Sequence, residues 1–406
     1  MHKKSDSKQY LILVTGILVG FPALITDSYL PAFPVLTKYF VTSVSSIQMS
    51  LMATMIGIAA GQLIIGPFSD KYGRIKPLLF SLYIFIASTA GCIFSGDITV
   101  FIISRLFQGL ACSGGMVLSR AILTDHFFGA DLSKSLSVNA AILGFTPAIS
   151  PVIGGILLTF AEWQGIFVFL ALFGIIVLVL SSRLPESLYS KNRKTGDVYS
   201  IIKDFALVLK NRSFISYVFI LTFSMAVMFA YISSSPFIFQ EHYNISPLLY
   251  SIVFGTNAAA LTIGAIAAGK FRKQEDAVKT GVYGVLFMSV ATVIFLISGA
   301  PFICFELSVF IMFVFNGIVY PSSTTLAMES NRENAGTASS ILGAMSFFTG
   351  GIISPLVGLG NIIYSTSVGL ILCSIISAGF YILNHRFNYG KNSTEAVKEA
   401  GFNAQG

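Results

Sequence analysis

Apolar windows of about 20 residues, the length that crosses a bilayer as a helix, recur along this chain between short polar interruptions. They fall near 10–35, 45–67, 76–95, 98–122, 134–159 and 164–183. A hydrophilic stretch from Arg183 to Arg212 follows, and further windows fall near 213–237, 246–269, 278–298, 301–326, 335–358 and 362–384. The pattern predicts an all-α integral membrane protein of twelve transmembrane helices in two pseudo-symmetric six-helix bundles. The first bundle covers 1–183, an inter-lobe linker 184–212, and the second bundle with its tail 213–406. The linker reads as a solvated topology determinant, within which 201–210 has the pattern of an amphipathic helix lying along the membrane surface.

Composition agrees. Charged residues make up 11% of the chain and hydrophobic ones 54%, with a mean hydropathy of +0.80, whereas soluble domains carry about 25% charge. The net charge of +7 would suit nucleic acid if it were gathered on one face. It is scattered between apolar segments instead, so a lipid bilayer is the expected partner and nucleic acid is not. With the N-terminus in the cytoplasm, all 25 Lys and Arg fall on that side except Lys38, outside, and Arg105, within the membrane. The outer loops then carry Asp97, Glu162 and Glu241. Both termini are therefore expected to be cytoplasmic. The start Met1-His2-Lys3-Lys4 imitates a secretory signal, but its apolar run meets Asp27 and two prolines without a cleavage site, so it is expected to remain as the first helix.

The halves echo each other. Ile149 to Gly154 recurs as Ile353 to Gly358, 204 residues later, and Gly66 before one basic loop matches Gly269 before another, 203 residues later. Paired repeats with a site at their interface point to a secondary transporter.

Against this background a few polar residues stand out. Asp27 lies in the first apolar window, where an ionised acid costs several kcal/mol at membrane depth and so faces protein or water. Arg105, in the fourth window, has five donors to satisfy and cannot shed its proton. Gln108 lies one turn along, and the other reading of Arg105 is a side chain snorkelling to the outer surface. At about 1.5 Å per residue, Asp27 and Arg105 both fall in the outer half of the membrane. Asn257 and Asn316 are mid-helix amides, with Tyr231 and Tyr320 as aromatic neighbours. With Tyr29 these form the candidate substrate cavity, and interhelical packing is the plainer alternative. Glu306 and Asp125 read as interfacial. Cys92, Cys112, Cys304 and Cys373 sit in apolar runs and read as packing. His2, His126, His242 and His385 lie near membrane boundaries, so no metal, cofactor or catalytic residue is expected. Gly264 to Phe271 copies a phosphate-binding loop until Phe271 takes the Ser or Thr position, which leaves ATP-driven transport without support.

The loop Gly66-Pro67-Phe68-Ser69-Asp70-Lys71-Tyr72-Gly73-Arg74 resembles the loop signature of the major facilitator superfamily, with Gly66, Asp70, Gly73 and Arg74 in register. Read alone, it is a topology-setting basic loop. Arg105-Leu106-Phe107-Gln108-Gly109 is similar to the superfamily's helix 4 motif. Pro151, Gly154 and Gly155 match the antiporter signature of its efflux branch, with Ser150 where glycine is usual. Asp27 to Pro34 and Met116 to Ile122 resemble the Bcr/CflA group of drug:proton antiporters, and Ala335 to Ser340 fits more thinly.

That resemblance implies a bacterial inner-membrane exporter of small amphipathic compounds, monomeric and driven by the proton gradient. Asp27 would be its proton carrier, coupled to Arg105 and Gln108. Two readings compete with it: uptake of a metabolite by proton symport, and a non-transporting receptor or lipid-modifying enzyme.

Overall fold

A computed structural model describes residues 2–189, 193, 205–331 and 334–403, with side chains from 8 to 385 except 335. Of the stretch 201–210, residues 201–204 lie outside the described residues, while 205–208 are helical. Among the described residues, 12 helices are long and apolar enough to cross a membrane. They are α1 (Lys8–Tyr39), α2 (Val44–Tyr72), α3 (Ile75–Ile93), α4 (Ile98–His126), α5 (Gly129–Phe160), α6 (Gln164–Ser181), α7 (Arg212–His242), α8 (Pro247–Ala268), α9 (Gln274–Ile297), α10 (Phe302–Glu329), α11 (Gly336–Leu356) and α12 (Ile362–His385).

Local chemistry sets several ends. Ser43, Asp97, Asn211 and Ser246 each accept a backbone N–H of the first turn they precede, at 3.1, 2.7, 3.2 and 3.3 Å, the usual work of a capping side chain. Span α1 breaks after Asp27 into a 3-10 turn, Leu30–Ala32, and a short helix, Phe33–Tyr39. Pro31 and Pro34 sit in the first turns of these pieces, where a missing N–H costs nothing.

Two ends differ from the sequence reading. Span α2 does not stop at Pro67 but runs on to Tyr72 and closes on Gly73, whose φ of +92° favours glycine. The predicted loop thereby shrinks to Gly73 and Arg74. Span α7 continues past Phe237 as a π-turn over Ile238–His242.

In the first bundle α2 packs on α4, α1 on α4 and α5, and α3 on α4 and α6; α7 to α12 repeat the scheme. The repeat is exact at the closest backbone approaches. A Cβ on Gly57 would strike the carbonyl of Leu106, and one on Gly109 that of Thr54. In the second bundle Gly264 meets Val314, and Gly317 meets Leu261, in the same way. Gly57 to Gly264 and Thr54 to Leu261 are separations of 207; Leu106 to Val314 and Gly109 to Gly317 are 208. By that register Gly66 corresponds to Lys273, so its echo in Gly269 is not the structural correspondence.

The bundles meet along α2 against α11 and α5 against α8. Three side-chain hydrogen bonds join them at the end opposite the inter-lobe linker, here termed the far end. Ser45 Oγ donates to the Pro355 carbonyl at 2.9 Å, Gln48 Nε2 to Ser233 at 2.9 Å, and Gln240 Nε2 to Pro31 at 3.0 Å.

Candidate functional site

Arg105 is fully buried in the first bundle, which removes the snorkelling alternative. Its Nη1 donates to Gln108 Oε1 and its Nη2 to the Ile25 carbonyl at 3.0 Å. Gln108 Nε2 in turn donates to Thr89 Oγ1 at 2.8 Å. The guanidinium carbon lies 4.0 Å from the centre of the Tyr29 ring and 5.7 Å from that of Phe167, within range of cation–π attraction.

These contacts bracket Asp27. The first helix of α1 ends there, leaving its last carbonyls without following amides. Arg105 takes one of them at Ile25, two residues before Asp27, and a cation at a helix C-terminus is favourable. Two residues after Asp27, the Tyr29 ring covers the same guanidinium. Asp27 Oδ1 accepts from Thr26 Oγ1 at 2.9 Å, and the residue is 8% exposed. Among the described residues no ion pair joins it to Arg105; the link runs through the backbone of α1. The Tyr29 hydroxyl, 3.2 Å from Ser50 Oγ, is buried with the arginine.

Span α5 brings Pro151, Gly154 and Gly155 to this place. A side chain on Gly154 would overlap the carbonyl of Ser28, adjacent to Asp27, and one on Gly155 would meet Ser251 of α8 across the bundle interface.

The second bundle has its own buried polar cluster. Asn257 Nδ2 donates to the Tyr231 hydroxyl and to Glu306 Oε1, both at 2.8 Å. Tyr231 and Asn257, paired in the sequence reading, are thus in contact, each 1% exposed. Glu306 completes the cluster and is not interfacial, being 8% exposed. Sequence reasoning missed it because it lies only four residues into α10. The signal that could have found it is the isolation of a carboxylate inside an apolar window. Asn316 and Tyr320 are placed elsewhere. Asn316 Nδ2 donates to the Ser224 carbonyl at 2.8 Å, and Tyr320, one turn further along α10, is 48% exposed.

A third cluster occupies the linker end. Arg74 donates to Asp70 at 2.5 Å, Ser69 at 2.7 Å and Asp125 at 3.1 Å. Asp125 is therefore an ion-pair partner rather than a plain interfacial acid. Burial alone would lower the pKa of Arg74, but its hydrogen bonds to Asp70 and Asp125 and their charges raise it above the ordinary arginine value. Glu186, which the sequence reading left inside the linker, accepts the backbone N–H of Arg74 at 2.8 Å and of Ile75 at 3.2 Å. It thereby caps the N-terminus of α3 with negative charge. Gly66 has no neighbour close enough to demand glycine.

Residues 15–355 match the family model of the Major Facilitator Superfamily. The chain is 36% identical to YdgK of Bacillus subtilis, named an uncharacterized MFS-type transporter, over 86% of this chain and 89% of that protein. It is 28% identical to a bicyclomycin resistance protein homolog of Haemophilus influenzae, covering 85% and 88%. It is 26% identical to the multidrug resistance protein MdtL of Escherichia coli, covering 91% and 94%. Among solved structures, the xylose transporter XylE from E. coli, partially occluded and inward open, aligns with a TM-score of 0.73 at 15% identity over 94% of this chain and 98% of that one. A bacterial homolog of the human lysosomal transporter Spinster, inward-facing and unoccupied, aligns at 0.76 with 16% identity over 94% and 97%. Those two likenesses establish the fold.

Proposed function

The chain belongs to the Major Facilitator Superfamily, and from that premise we propose that it exports small amphipathic compounds in exchange for protons. Membership makes it a multi-pass membrane transporter of small molecules and not an enzyme. Relatives named for resistance to bicyclomycin and to multiple drugs support export over uptake. The observation that supports the reading is the grip of Arg105 on α1, through the Ile25 carbonyl before Asp27 and the Tyr29 ring after it.

In this reading the protein is a monomer in the bacterial inner membrane, with the linker end and both termini in the cytoplasm. Asp27 takes a proton when the far end is open. Closure of the far end, supported by Ser45, Gln48 and Gln240, turns the site toward the linker side, where the proton leaves and substrate enters. Each movement of α1 against α4 changes the distance of Asp27 from a fixed positive charge, which alters the balance between its charged and neutral forms. Gly154 lets α5 ride against Ser28 beside the acid, and Gly155 carries the motion to α8. The Arg74 cluster holds α2, α3 and the ends of α4 and α6 together as the bundle rocks.

Vesicles with purified protein and an imposed pH gradient test the assignment. Asp27→Asn is expected to abolish gradient-driven transport while leaving substrate exchange down its own gradient. Unchanged coupling in that variant removes Asp27 from the role. In an efflux-deficient bacterium the unmodified chain is expected to raise drug resistance; heightened sensitivity would mean uptake.

A further inference from the structure

The two seams along which the bundles meet are not alike. On the seam with α11, α2 presents two glutamines, Gln48 and Gln62, about 21 Å apart along one face of the helix. Each is pressed against a glycine of α11. A side chain on Gly358 would strike Gln48 Oε1, and one on Gly343 would strike Gln62 Oε1. Between them Gly351 lies against Met52 and Met55. The contact therefore runs unbroken from the far end into the linker half of the membrane.

The other seam lacks these amides. In the register of the two bundles, a separation of 207 carries Gln48 to Gly255 of α8 and Gln62 to Gly269 just beyond it. Gly255 packs directly on the Ala148 carbonyl of α5. Polar side chains at these two levels thus belong to α2 alone.

The two glutamines are in different states. Gln48 is fully buried, and its Nε2 donates to the Ser233 carbonyl of α7 at 2.9 Å. It ties α2 to the second bundle at the end where Ser45 and Gln240 do the same. Gln62 is 6% exposed, and its Nε2 is buried without a partner. A buried donor without an acceptor raises the energy of the state that contains it, and a state that supplies the acceptor is favoured by that amount. From Gly343 toward the linker, α11 continues through Ser340, Ser339 and Thr337.

We propose that Gln48 and Gln62 form a paired latch on α2. Gln48 holds the far end shut, as described here. When the linker end shuts instead, the polar first turns of α11 close on Gln62 and give its Nε2 an acceptor, while Gln48 releases Ser233. Each state pairs one amide and leaves the other unpaired, which keeps the two states close in energy as alternation requires. The latch works whichever way the substrate moves and whatever drives it, so it does not rest on proton coupling or on export.

Hydrogen–deuterium exchange of purified full-length protein in lipid nanodiscs, read by mass spectrometry, tests the latch without a substrate. Far-end opening is read at the amides flanking Pro31 and Gln240, and linker-end opening at the start of α11 and the end of α2. Gln48→Leu is expected to speed far-end exchange about fivefold, the population change given by one hydrogen bond, and to slow linker-end exchange. Gln62→Leu is expected to do the reverse, because it removes an unpaired donor from the present state and a bond from the other. The double variant should return both ends close to the unmodified protein. Thermal unfolding reports whether each variant folds; Gln48→Asn and Gln62→Asn, with the amide one methylene short, should show the same signs if a leucine variant does not. Shifts of the same sign in the two single variants, no shift in folded Gln62→Leu, or shifts that add in the double variant each overturn the proposal. A change confined to α2 itself marks a packing role and overturns it as well.

Discussion

The two bundles are built on one backbone plan and differ at the position that matters most. The register set by Leu106 and Val314 places Arg105 of the first bundle opposite Phe313 of the second, and Gln108 opposite Asn316. In the first bundle a guanidinium lies 4.0 Å from the Tyr29 ring; in the second the Phe313 ring lies 5.1 Å from that of Tyr231. One acid, Asp27, therefore lies near a fixed cation of the protein, and the other, Glu306, sits among rings with none beside it among the described residues. A resident cation makes an acid responsive to small movements of the chain. The repeat supplies the scaffold twice, and the exchange of Arg105 for Phe313 gives the two acids different surroundings.

The comparison is broken most directly at Arg105. Arg105→Met gives the first bundle the apolar character of the second, and coupled transport is expected to fall to background in vesicles. Stability should fall by about 1–3 kcal/mol, because Gln108 Oε1 and the Ile25 carbonyl both lose their donor, so transport is compared at equal amounts of folded protein. Normal proton coupling in this variant would mean that the cation is only structural. A smaller effect separates Gln108 from Asn316. Gln108→Ala strips a partner from both buried Arg105 and Thr89 and should cost about 2 kcal/mol with a clear loss of transport. Asn316→Ala breaks one bond to a backbone carbonyl and should cost about 1 kcal/mol with transport nearly unchanged. Equal transport defects in the pair would show that the bundles are functionally equivalent at this position.

The parts legible in the sequence were those written as contrast. Twelve apolar windows announce the spans, and Asp27 and Arg105 are conspicuous because charge is rare there. Their partners were less legible. Ile25 contributes a carbonyl, which no sequence pattern marks, and Tyr29 looks the same whether it lines a cavity or covers a guanidinium. Glu306 was hidden by counting depth along one helix. Span α7 extends past its predicted end through a π-turn, and that extension brings Phe239 and Tyr243 over Phe305. Glu306, the next residue along α10, is itself held by Asn257 of α8. Glu186 was hidden for the opposite reason, lying in a hydrophilic stretch where an acid attracts no notice.

The smallest expected effect lies at the linker end, where the bundles differ again. The turn between α2 and α3 holds Arg74 among Asp70, Asp125 and Glu186, while the turn between α8 and α9, Gly269 to Lys273, matches only its basic character. Glu186 gives both oxygens to backbone N–H groups at the start of α3, and a glutamine can give only one. Glu186→Gln also removes the negative charge from that helix N-terminus, so it should lower stability by about 0.5–1 kcal/mol, an amount that salt would partly screen. Thermal unfolding at low and high ionic strength measures both parts. The corresponding change at Lys273→Gln should be smaller still, since its side chain caps nothing. A larger loss at Lys273 than at Glu186 would mean that the second bundle, not the first, is the one braced at the linker end, and that the ionic cluster around Arg74 holds a loop rather than a lobe.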